Sequence, residues 1–109
     1  MAITATQVSP LNLLRMATGR YLNTGAAAAF TITLGFKPRY IKMVNVGGGL
    51  ASIEWFEGMA DLSGVATATA GDITVDVLTG FTVTSTGFTL GIQAAVNITN
   101  QQLSWIALG

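Results

Sequence analysis

A chain of 109 residues is one domain's worth of polypeptide, enough for a single two-layer core. Only 9% of it is charged, against roughly a quarter in ordinary soluble domains, and five Lys/Arg cancel five Asp/Glu, which removes the basic footprint that phosphate binding needs and argues against nucleic acid as a partner. With no cysteine and no histidine, disulfides, thiolate nucleophiles and thiolate metal sites are excluded, and the commonest proton-transfer side chain and metal ligand are missing.

The first basic residue, Arg15, comes after Leu11, Leu13 and Leu14, which is not the order of a secretory signal. Long uncharged stretches are broken by Gly, Thr, Asn or Gln, so no membrane-spanning helix is expected, and without an export signal a membrane barrel is not expected either. Ser9 and Pro10 resemble an N-cap and a first helical position, and Gly19 a stop, which predicts a short helix or ordered arm. Leu11, Leu13, Leu14, Met16, Tyr21 and Leu22 are too few for a core of their own. The expected division is an N-terminal arm over residues 1–26, whose apolar residues bind the body of the domain or a neighbour, and a β-sandwich domain over 27–109.

From Ala27 onward the pattern is strands and turns. Phe30, Ile32 and Leu34 alternate with threonines, the period of a strand with one buried face. Pro38 starts a second run, Arg39 to Val46, and Gly47-Gly48-Gly49 separates it from Leu50 to Glu57, in which Ala51, Ile53 and Trp55 share a face; this predicts a hairpin. Gly58 to Gly71 is small and irregular and reads as a long loop or weak edge strand. Ile73, Val75 and Val77 alternate with Asp72, Thr74 and Asp76, an amphipathic strand with the apolar set expected inside and Gly80 as its end.

The last third holds Phe81 to Thr84, then an even-numbered apolar series from Phe88 through Leu90, Ile92, Ala94 and Val96 to Ile98, and a turn before Leu103, Trp105 and Ala107. Short strands with turn signals about every eight to twelve residues predict an all-β, antiparallel β-sandwich or jelly-roll-like barrel.

No charged residue occurs from Val77 to Gly109. Strand proteins discourage edge-to-edge association with lysines, prolines and inward charges, and interfaces lose charge at their centres, so this stretch favours a subunit covered by neighbours. The carboxylates Glu54, Glu57, Asp61, Asp72 and Asp76 show no spacing that pairs two of them over a cleft, and no calcium-loop pattern surrounds them. No catalytic, cofactor-binding or metal residue is therefore assigned. Gly47-Gly48-Gly49 lacks the Lys-Ser/Thr of a phosphate loop. Trp55, Phe56 and Trp105 are the aromatics from which a carbohydrate platform would be built, although aromatics at strand spacing are more often core.

Four stretches in order resemble a type of small tailed-bacteriophage virion protein: Gly35-Phe36-Lys37-Pro38-Arg39-Tyr40-Ile41-Lys42, Glu54-Trp55-Phe56-Glu57-Gly58-Met59, Thr84-Ser85-Thr86-Gly87-Phe88-Thr89-Leu90-Gly91 and Leu103-Ser104-Trp105-Ile106-Ala107. The resemblance implies a non-enzymatic structural part of a virion, made in the host cytoplasm. The leading expectation is a capsid decoration or cement protein that forms a homo-oligomer, a trimer among the arrangements, and binds the major capsid protein or another virion protein. The alternatives are a tail, fibre or baseplate component, and a small carbohydrate-binding module.

Overall fold

Period-two alternation of apolar and Thr-rich positions builds strands throughout residues 15–109, the part of the chain that the computed structural model describes. The strands are β1 (Met16–Tyr21), β2 (Phe30–Thr33), β3 (Tyr40–Asn45), β4 (Ser52–Phe56), β5 (Ser63–Thr67), β6 (Ile73–Thr84), β7 (Gly87–Leu90) and β8 (Leu103–Leu108). They form one antiparallel sheet in the order β1-β8-β3-β4-β5-β6-β7-β2, with no helix among the described residues. The all-β antiparallel expectation holds.

The sheet curls into a half-barrel because β6 serves two neighbours. Its first part pairs with β5, Ile73 opposite Thr67 and Val75 opposite Val65, and its second part pairs with β7. Between them the register jumps: Gly64 faces Asp76 while Ser63 faces Phe81, so residues 77–80 bulge out. A side chain at Gly80 would strike the Ser63 backbone, so the bend needs glycine there. Beyond it, β7 and β2 fold over the inner side of the sheet. Phe88 of β7 meets Trp105 of β8 edge-on at 5.7 Å, although the two strands are far apart in the sheet order. The two sheet edges also approach each other, since Tyr21 of β1 stacks on Phe30 of β2 at 3.7 Å.

The core fills this curl with Ile41, Met43, Ile53, Trp55, Phe81, Phe88, Leu90 and Leu103, together with Val96 from the loop before β8. Each large side chain so buried contributes about 1.5–3 kcal/mol. The loop over residues 91–102 is held by side chains: Asn97 Nδ2 donates to the carbonyls of Ala28 and Gly91, and Gln93 Oε1 accepts from the amides of Ala95 and Val96.

Five sequence expectations change. Gly80 does not end β6 but bends it, and the strand runs on to Thr84. Within the arm, Met16–Tyr21 is strand and not helix: β1 pairs along its whole length with β8, and Gly19 is small because the Trp105 ring lies against it, a hypothetical Cβ falling 2.5 Å from Cζ2. Residues 58–71 contain β5, an inner strand between β4 and β6, whose Gly64 makes room for Ile53. Ile73, Val75 and Val77 are 68%, 65% and 63% exposed, the first two because the inward parity at this end of the sheet belongs to Ala66 and Gly64 on β5, and Val77 because it lies in the bulge. The even-numbered series from Phe88 stops being strand after Leu90; Ile92 and Ile98 lie exposed on the loop while Val96 is buried.

Candidate functional site

The carboxylates are scattered, and each has a local task. Glu54, on β4, lies opposite Lys42 of β3 and accepts a hydrogen bond of 2.6 Å from the Tyr40 hydroxyl. Desolvation, then that bond, then the Glu54 charge push the Tyr40 phenol up to about 12. Glu57 sits 3.6 Å from Arg39 in an exposed ion pair, an arrangement of small energetic value. Asp76 ties the β6 bulge, accepting from the amides of Leu78 and Thr79 and from the Thr79 hydroxyl. Desolvation pulls its carboxyl up, but those three hydrogen bonds outweigh it and hold the group below its ordinary value. Asp61 and Asp72 are exposed. Among the described residues no three His, Cys, Asp or Glu side chains converge as a metal site would require.

The glycine run 47–49 forms the β3–β4 turn. Two of its three amides are already used: Gly48 N donates to Asn45 Oδ1 and Gly47 N to the Gln102 carbonyl, which leaves no cradle of converging amides for a phosphate. The three aromatics considered for a sugar platform are not brought together. Trp55 and Trp105 face the inside, while Phe56 faces outward against Tyr40. An open depression of about 220 Å³ is lined by Lys37, Glu57 and Asp61 beside the covered edge of Trp55.

The largest unpartnered feature is the outward face of the six strands from β1 to β6. Register alignment gives it three rows. The first runs Met16, Leu108, Tyr40, Phe56. The second runs Thr18, Ile106, Lys42, Glu54, Val65, Val75, and the third Arg20, Ser104, Val44, Ser52, Thr67, Ile73. Only Arg20, Lys42 and Glu54 bring charge to these rows. Met16, Phe56, Ile73 and Val75 are exposed, and Val77 and Leu78 extend the apolar surface at the β6 bulge. Nine of the sixteen row positions are apolar or aromatic, interrupted by Thr18, Lys42, Glu54, Arg20, Ser104, Ser52 and Thr67.

The six residues proposed for the arm separate. Met16 joins the first outward row, Tyr21 points inward onto Phe30, and Leu22 is exposed in the connection to β2. Leu11, Leu13 and Leu14 lie outside the described residues. Sequence reasoning missed Val65, Val75, Ile106 and Leu108 as surface residues. One signal was available: Leu103 to Leu108 is apolar at both parities apart from Ser104, as expected of a strand covered on both sides.

No protein-family model, no curated protein and no solved structure matches the chain.

Proposed function

We propose that this protein works by binding and not by chemistry: it is a structural virion part of the tailed-bacteriophage type, a capsid decoration or cement protein that associates with copies of itself and with the phage head. The observation that supports an assembly role is the outward sheet face, six strands wide, on which nine of the sixteen row positions are apolar or aromatic and three are charged. Left in water, such a face is an aggregation hazard, whereas a subunit interface gives it cover. The virion address rests on the sequence resemblance over residues 28–109.

The test is imaging of phage particles that carry a labelled form of the protein. Label distributed over heads is the expected result. Label on tails or fibres moves the protein to the tail, and particles free of label overturn the virion reading.

A further inference from the structure

The outward face is complementary to itself. In its middle row the six residues place Lys42 on the third strand and Glu54 on the fourth, with apolar or hydroxyl side chains on both sides. The face has a central pair of opposite charges at its midline. We propose that two copies of the chain pack face to face through these rows, about a two-fold axis that runs along the strands between β3 and β4. The inference rests on the assembly reading above and names the surface and symmetry it uses.

The axis follows from the register. A two-fold along the strands sets each β3 over the partner's β4, so Lys42 faces the partner's Glu54 and Glu54 faces the partner's Lys42. The same operation sets Tyr40 over the partner's Phe56, Ile106 over the partner's Val65 and Thr18 over the partner's Val75. A two-fold across the strands would instead put Lys42 on the partner's Lys42 and Glu54 on the partner's Glu54. Like charges facing each other in a closed interface are strongly disfavoured, so the charges select the first axis. Aligned sheets stack about 10 Å apart with a twist near 30° between their strands, and residues at the axis are the ones that this twist displaces least.

Area and chemistry are consistent with a second copy as the occupant. Sixteen outward positions, spaced about 4.8 Å across the strands and about 7 Å along them, give a footprint on the order of 500 Å² per subunit. Twice that, roughly 1,000 Å² in total, is the size at which a specific interface between copies begins. The central charges would not be stranded, because each has a cross-strand neighbour of opposite sign in its own chain and Glu54 keeps the Tyr40 hydroxyl. A strongly acidic or basic partner would find no matching excess on this face. A second copy matches the central Lys42 and Glu54 charge for charge, while Arg20 lies at the rim on the outermost strand, β1.

The test is light scattering on the full chain and on two single reversals, Lys42→Glu and Glu54→Lys. The wild type should show twice the chain mass, falling on dilution. Each reversal alone puts like charges together twice across the interface and should weaken pairing by at least about tenfold. Mixing the two reversals should restore it, since at both contacts between chains an acidic side chain of one variant then meets a basic side chain of the other. The pair within each chain stays mismatched in that mixture, so recovery reports contact between chains and not repair of the fold.

Val75→Lys, at an exposed position away from the core, is the second variant; it should abolish pairing with an unchanged far-ultraviolet spectrum. A wild type that stays monomeric into the millimolar range overturns the inference, whether the face is covered by residues 1–14 of its own chain or by another protein. A dimer indifferent to all three changes, or a mixture that fails to recover, overturns it too. Particle labelling judges the virion reading independently: a chain that pairs and labels no particle keeps the pairing, and a monomer that labels heads keeps the address.

Discussion

Asn45 ends β3 with its side chain inside and only 1% of its surface exposed, and three hydrogen bonds converge on it. Its Oδ1 accepts from Gly48 N at 2.9 Å, and its Nδ2 donates to the Val96 carbonyl at 3.2 Å and to Gln101 Oε1 at 2.8 Å. One side chain thus ties the β3–β4 turn to the loop over residues 91–102, which has no strand ladder of its own. Asn45→Ala removes all three bonds. The Val96 carbonyl keeps the Ile98 amide, but the half-buried Gly48 N loses its acceptor, at a cost of about 1 kcal/mol. With the lost bonds and the vacated volume, the total is about 3 kcal/mol, a large share of the roughly 5–15 kcal/mol that holds a domain together. For a chain of this size that corresponds to a fall in Tm of about 12 °C. Urea unfolding followed by tryptophan fluorescence measures it, since Trp55 and Trp105 both face the core. The same substitution in a Gln101→Ala background should cost about 1 kcal/mol less, the share of their mutual bond. A loss below about 1 kcal/mol, or the same loss in both backgrounds, would refute the assignment of Asn45 as the tie.

Gly19→Ala should destabilise the protein by about 1–3 kcal/mol and alter the near-ultraviolet signal of Trp105, because the added Cβ meets that ring; no change would mean that β1 does not pack on β8. In a Tyr21→Phe background, phenolate absorbance from Tyr40 should appear with a midpoint of about 12 and move lower on Glu54→Gln. Because the raised phenol favours the neutral form in the folded state, its contribution to stability is complete below the unfolded value and is lost as pH climbs through the folded one. Asp76 has the opposite sign: its folded carboxyl is lowered, so the stability it supplies is present above the unfolded value and lost as pH falls through the folded one. Asp76→Asn should remove that acid-dependent part, on the order of 1 kcal/mol, in denaturation curves collected across acid pH.

The strands nearest the middle of the sheet were legible because local signals agreed. Ile41 and Met43 alternate inward, Ile53 and Trp55 do the same across the turn, and the glycine run between them marks the hairpin. Alternation says which residues share a face, but not which face is inside. For Ile73 and Val75 that choice is made by the register against β5, where Ala66 and Gly64 take the inner side, and no signal local to β6 reveals it. β5 itself is built from small residues whose value appears only beside Ile53. Likewise Gly19 reads as helix punctuation until Trp105, far away in sequence, is seen against it. The outward face was not legible: the uncharged stretch after Asp76 supplies only Ser104, Ile106 and Leu108 to its rows, and the rest of the face depends on pairings among six strands.

The central claim is that the outward sheet face is covered when the protein works. Photochemical footprinting of aliphatic side chains tests it most directly, comparing the assembled protein, oligomer or particle, with the chain dissociated by dilution. Val65, Val75 and Ile106 should be protected in the assembled form, while Ile92, exposed on the loop after β7, takes label in both. Equal labelling of Val75 and Ile106 in the two states would contradict the account.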